Sequence, residues 1–217
     1  PVMEKAKAAN IPVILVDQGV NAHEDLYVTF VSTDNFAAAK LAGQKMAEIL
    51  GGEGNVIIVR GANGSSAGDQ RADGFKAGIE GTGLVLVNEQ AGDWVVDKAM
   101  QVTENMLQAN PEIDGIFCCS DNMVPGILQA LKNNDIDPAG LCFISFDGAK
   151  AGCDYIAAGE MTGTMAQFPA KIGAKAVEVM LGVLDGSVDP ATIEKFVDAG
   201  TDMYTKDNLD MAAQFWF

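Results

Sequence analysis

The sequence predicts an α/β fold of doubly wound parallel sheets. Five short runs rich in Val, Ile and Phe carry this prediction, at residues 11–17, 56–60, 84–88, 115–120 and 142–147. They are apolar on both faces, the pattern of parallel strands buried between two helix layers. The polar residues that close the later runs, Arg60, Glu89, Ser120 and Asp147, lie 29, 31 and 27 positions apart. That is the length of a strand–helix–strand unit with a right-handed crossover. In a parallel open sheet ligands bind outside the carboxyl ends of the strands. Asp17, Gln18, Glu89, Ser120, Asp121 and Asp147 are therefore expected along one rim.

The elements follow in order. Residues 1–10 read as the back half of an amphipathic helix, without an initiator Met or a basic-then-apolar leader, so a fragment or processed piece is expected. After the 11–17 strand and a second strand at 27–32, Asp34 can cap a helix carrying Ala39, Ala42, Met46 and Leu50, which Gly51-Gly52 stops. Ser65 or Ser66 opens the next helix, ending near Glu80-Gly81. Asp93 can cap a third, which ends at Ala109-Asn110 before Pro111. Ser120 or Asp121 opens a fourth, with Pro125 tolerated in its first turn. A short helix over 149–158 stops at Gly159, and Pro169 starts a long one over 170–184. Four successive units make one complete lobe, residues 33–167 plus 191–217. Residues 1–32 plus 168–190 form part of a first, N-terminal lobe.

Composition narrows the function. Asp and Glu number 30 against 14 Lys and Arg, a formal net charge of −16. Such a chain repels phosphate backbones, so no nucleic-acid partner is expected. No stretch approaches the roughly 18 apolar residues of a membrane span. Cys118, Cys119, Cys142 and Cys153 lack CxxC spacing and His23 is the one imidazole, so buried thiols are expected rather than a metal site or a disulfide. The loop from Gly61 to Gly68 lies where a phosphate cradle would sit, but lacks both the P-loop and the dinucleotide pattern, and no cofactor is expected. Cys119-Ser120-Asp121 has no base near it in sequence, so catalysis is not expected. The segment Asn133-Asn-Asp-Ile-Asp137 lacks the spacing of a calcium loop.

What remains is a set of carboxylates, amides and hydroxyls with one large aromatic, Trp94. Carboxylates accept hydroxyl hydrogen bonds, and amides such as Gln18 and Gln167 donate and accept. A tryptophan face packs against the C–H face of a sugar ring. Asp93, Asp121 and Asp147 each read equally well as helix caps, but the whole set on one rim favours binding of a neutral sugar or polyol.

Six motifs in order resemble the periplasmic sugar-binding proteins of the ribose and galactose type. They are Ala9-Asn-Ile-Pro-Val-Ile-Leu-Val-Asp17, Thr33-Asp-Asn35, Arg71-Ala-Asp-Gly-Phe75, Ser120-Asp-Asn-Met123, Phe146-Asp-Gly148 and Gly163-Thr-Met-Ala-Gln-Phe-Pro169. The ending Tyr204-Thr-Lys-Asp-Asn-Leu-Asp210 is similar too. The resemblance covers nearly the whole chain. It implies two doubly wound lobes joined by three crossings that close on a monosaccharide or polyol. Asp17 and Gln18 would sit on the first lobe, Asp69, Trp94, Ser120 and Asp147 on the second, and Gln167 at the crossing, with Asp121 capping its helix beside the site. The implied partner is the membrane permease of an ATP-binding-cassette importer, and the implied location is periplasmic or extracellular.

Two departures bear on the ligand. Gln18 stands where ribose binders of this family carry an arginine, and Asp69 where another arginine reaches the sugar, so ribose is not the expected ligand. The family also has about three further strand–helix units upstream. Without them the strand at 11–17 would expose an edge. Weak or no sugar binding by these 217 residues alone is expected, with self-association through that edge. The alternative function is the effector-binding core of a sugar-responsive transcription repressor. That class commonly ends in an Arg-x-Ser stretch, which this acidic chain lacks.

Overall fold

Four of the apolar runs hydrogen-bond into one sheet in the computed structural model, which describes residues 1–214. In chain order the elements are α1 (Val2–Ala8), β1 (Ile14–Val16), β2 (Thr29–Ser32), α2 (Asn35–Ile49), β3 (Glu53–Arg60), α3 (Ser66–Ile79) and β4 (Gly83–Ala91). Then come α4 (Val96–Ala109), β5 (Gly115–Cys118), α5 (Val124–Asn133), β6 (Cys142–Asp147), α6 (Lys150–Ala158) and β7 (Gly163–Ala166). The last are α7 (Pro169–Leu184), β8 (Phe196–Asp198), β9 (Asp202–Thr205) and α8 (Leu209–Ala212). Two compact units result, one of residues 1–34 with 168–200, the other of residues 35–167 with 201–214.

The larger unit is a six-stranded sheet in the order β4-β3-β5-β6-β7-β9. All its pairs are parallel except β7 with β9. Val56–Val59, Ile116–Cys118 and Phe143–Phe146 are buried at its centre because helices cover both faces. The Phe75 ring of α3 stacks on Phe117 of β5 at 4.4 Å. Helices α2 and α3 pack closely through glycines: a Cβ at Gly74 or Gly78 would overlap the carbonyl of Phe36 or Lys40. Together these elements form an α/β fold built on parallel sheets.

The smaller unit is a parallel sheet in the order β1-β2-β8, with Ile172 and Ala176 of α7 packed on Val31. β1 pairs only with β2 and is an edge strand.

The structure corrects the sequence reading at several points. Residues 11–13 lie outside β1, although the Val13 carbonyl accepts from the Val28 amide, and Ile11 and Val16 are exposed, so the first run is not buried on both faces. β4 is an edge strand, which is why Val85 is exposed among otherwise apolar neighbours. Residues 191–200, which sequence grouped with the larger lobe, run with the smaller unit because β8 hydrogen-bonds to β2. Asp93 does not cap α4. The N-cap is Val95 without a side-chain bond, while Asp93 and Trp94 both have positive φ, 56° and 64°. Ser65 does cap α3, accepting from the Gly68 amide, and Gly159 ends α6 in the left-handed conformation. All four cysteines are buried thiols. Among the described residues, no helix is long and apolar enough to cross a membrane.

Candidate functional site

The carboxyl ends of β3, β5 and β6 bring Arg60, Cys119-Ser120 and Asp147 to one rim of the larger unit, and α3 delivers Arg71 to the same place. Arg71 lies in the second turn of α3, whose neighbouring positions Ala67, Ala72 and Phe75 are buried, so its side chain is drawn into the rim. Its Nε donates to Asn35 Oδ1 at 2.8 Å, and its Nη1 donates to the Cys119 carbonyl at 2.8 Å and to Asp147 Oδ1 at 2.9 Å. The guanidinium also lies 3.8 Å from the centroid of the Phe146 ring and 5.9 Å from that of Trp94. A planar, weakly hydrated cation suits such a stacked, buried position better than an ammonium.

Asp147 is the hub. Besides Arg71, its Oδ1 accepts from Gln167 Nε2 at 2.8 Å and its Oδ2 from Ser120 Oγ at 2.6 Å. A carboxylate offers about four acceptor positions, so three are filled from within the protein. The backbone at Asp147 holds φ at 120°, and Gly148 follows at 70°, a sharp exit from β6 that turns the carboxylate along the rim. Strained backbone of this kind persists only where the surroundings over-determine it. Gln167 Oε1 is buried and has no hydrogen-bond partner among the described residues.

Trp94 covers the start of α3. Gly61 at the end of β3 has no room for a side chain, because a Cβ there would overlap the Trp94 ring, and one at Gly68 would stand 3.2 Å from Cζ2. The glycines of the 61–68 loop thus make space for an aromatic ring.

Asp121 lies behind the rim, only 2% exposed. Its Oδ2 accepts from the Ala149 amide at 2.9 Å and its Oδ1 from Thr164 Oγ1 at 2.9 Å. It therefore holds the start of α6, a neighbouring helix, rather than capping its own. Burial, and next the nearby charge of Asp147, push its carboxyl up to about 7. Burial likewise pushes the Cys119 thiol up to about 12, so it stays protonated.

A family model described as a periplasmic binding protein domain matches residues 1–187. The chain belongs to that family. The ribose import binding protein of Salmonella typhimurium is 33% identical over 184 residues, covering 85% of this chain and 61% of that protein. The D-allose-binding periplasmic protein of Escherichia coli is 36% identical over 154 residues, 70% of this chain and 49% of that protein. Among solved structures, an ABC transporter periplasmic solute binding protein from Actinobacillus succinogenes with bound D-allose superimposes with a TM-score of 0.87 at 31% identity. That match covers 97% of this chain and 75% of the other. The chain thus spans from about half to about three fifths of the length of these two curated relatives.

Within this periplasmic binding protein domain, Ser120, Asp147 and Gln167 meet in one hydrogen-bonded cluster, with Trp94 beside it across Arg71. Asp69 is paired with Arg60, whose Nη2 donates to Asp69 Oδ1 at 2.6 Å. Glu89 is also held by cations, Arg60 at 3.4 Å and Lys76 at 3.4 Å. Asp17 and Gln18 belong to the smaller unit, where Asp17 has φ 64° and its carbonyl accepts from Ser32 Oγ at 3.0 Å. Gln18 is exposed there. His23 is an exposed loop residue of that unit. Among the described residues no cluster of His, Cys, Asp or Glu is arranged to hold a metal ion. Sequence reasoning missed Arg71, Asn35 and Arg60 as site-forming residues. The available signal was an arginine set among the small and apolar positions of a core-facing helix.

Proposed function

We propose that this domain is the substrate-binding component of a sugar importer, and that the Asp147 rim of its larger unit contacts a monosaccharide or polyol. The observation that carries the reading is the Asp147 cluster. A carboxylate fixed by three donors keeps an acceptor position, the neighbouring Gln167 Oε1 is a second acceptor without a partner, and Trp94 offers an apolar face. Fixed acceptors beside an aromatic plane match the alternating hydroxyls and C–H faces of a sugar. The relatives supply the class, since their names specify ribose and D-allose.

Binding without turnover is part of this reading: the relatives are described as binding proteins, and burial keeps the rim thiol of Cys119 protonated. The partner is then a membrane permease and the location periplasmic or extracellular, as befits relatives described as import and periplasmic proteins. Asp17 and Gln18 are proposed as further sugar contacts from the smaller unit, by resemblance alone. Affinity of the 217 residues by themselves is weak in this reading.

Equilibrium dialysis against labelled pentoses and hexoses at high protein concentration tests it. Retention of at least one neutral sugar by the wild type, and its loss in Asp147→Ala, is the expected result. Equal retention by both proteins would remove the rim from the site.

A further inference from the structure

A second polar network stands at the rim apart from the Asp147 cluster. Arg60 closes β3, and its guanidinium reaches Asp69 Oδ1 at 2.6 Å and Glu89 Oε1 at 3.4 Å. Lys76 extends the network from Glu89 to Asp73, at 3.4 and 2.9 Å. The Arg60–Asp69 pair is one-sided. The arginine side chain is 22% exposed, whereas that of Asp69 is 45% exposed, and only Oδ1 of the carboxylate is engaged. Asp69 lies in the first turn of α3, directly after Gly68, over which Trp94 lies, and two positions before Arg71.

An exposed carboxylate on a flexible stem is a poor binding group, because fixing it on a ligand costs side-chain entropy. A charge-assisted bond to a guanidinium that is itself held by Glu89 removes that freedom in advance. The second oxygen, Oδ2, takes no part in that bond and remains an acceptor on an exposed side chain next to Gly68, over which Trp94 lies. Such an acceptor takes hydroxyl hydrogens and repels a carboxylate or phosphate on the ligand.

We propose that Arg60 is a positioning residue that fixes Asp69 as a selectivity-setting acceptor, so that the site takes neutral hydroxyl-rich sugars and turns away sugar acids. This rests on the sugar-binding reading above. It gives a physical role to the acceptor at position 69: the cation, on β3, is the more buried partner and holds the more exposed anion.

The test compares neutral pentoses and hexoses with D-galacturonate in chemical-shift titrations of wild type, Asp69→Asn, Arg60→Met, Arg60→Lys and the charge swap Arg60→Glu with Asp69→Arg. Asp69→Asn and Arg60→Met are expected to weaken neutral-sugar binding by about tenfold, with partial rescue in Arg60→Lys. The swap keeps an ion pair but turns its cation outward, and is expected to raise galacturonate binding relative to neutral sugars. If Arg60→Met does not fold, Asp69→Asn and Arg60→Lys carry the comparison. Neutral-sugar affinity within twofold of wild type in Asp69→Asn, or equal wild-type affinity for galacturonate, overturns the proposal and leaves the sugar-binding reading standing. A wild type that responds to no sugar in the panel overturns both.

Discussion

Arg71 and Asp147, 76 positions apart in sequence, are joined by a 2.9 Å ion pair at the rim, with their side chains only 6% and 11% exposed. The pair holds three strand ends and one helix together, since Arg71 also binds the Cys119 carbonyl and Asp147 binds Ser120 and Gln167. Asp147 is thus the organiser of the rim cluster.

Breaking this pair from one side should be costly. Arg71→Met leaves a buried carboxylate without its cation, and losses of about 3–5 kcal/mol are typical of such changes. Urea unfolding is expected to show that loss, and a double variant with Asp147→Asn should lose less than the sum of the two single changes. Additive losses would mean that the two side chains act independently.

Asp121 predicts a pH dependence with a definite sign. Its folded-state carboxyl is raised to about 7 by burial, while in the unfolded chain it ionises near the ordinary value of about 3.9. Between those values the native state holds a proton that the unfolded state has released. This contribution to stability is therefore full below about pH 4 and is lost as pH rises through about 7. Asp121→Asn, which cannot ionise, should flatten that slope. Unfolding free energies measured across this window check it, and parallel curves for the two proteins would contradict it.

Gly61→Ala should act on Trp94 rather than on the fold at large. The new methyl group overlaps the indole, so the ring must move. A cost of about 1–3 kcal/mol, typical of overpacking, is expected together with a shifted Trp94 indole resonance and weaker sugar binding. An unmoved indole signal would show that the ring does not lie over Gly61 in solution.

The edge strand β1 includes the exposed Val16, and α7 exposes Val177, Leu181 and Leu184 in the same unit. Unpaired strand edges recruit other strands. Sedimentation velocity should show concentration-dependent association of the 217-residue chain, reduced by Val16→Lys. A monomer at every concentration would remove this expectation.

The core of the larger unit was readable because β3, β5 and β6 are buried on both faces and so carry uninterrupted apolar runs. β7 and β9 were not: Thr164 of β7 turns to the Asp121 carboxylate, and β9 reads Asp-Met-Tyr-Thr with Asp202 exposed, so neither carries an apolar run. The loop before α4 misled for a related reason. Asp93 looks like a cap, yet the positive φ at Asp93 and Trp94 accompanies a ring placed over Gly61, and the N-cap falls at Val95, before the helix starts at Val96. Of the rim cluster, Ser120, Asp147 and Gln167 could be named from strand ends and motif order. Arg71 could not, because its role is set by Asn35 and Asp147, which lie 36 and 76 positions away.

The most direct test of the account is a ¹H–¹⁵N titration of the 217-residue chain with a neutral monosaccharide such as D-allose, following side-chain signals. The account predicts that the Trp94 indole, the Gln167 amide and the Arg71 Nε shift together and saturate with one affinity. Shifts confined elsewhere, for example to the groove lined by Leu128, Ile136 and Tyr155, would contradict it.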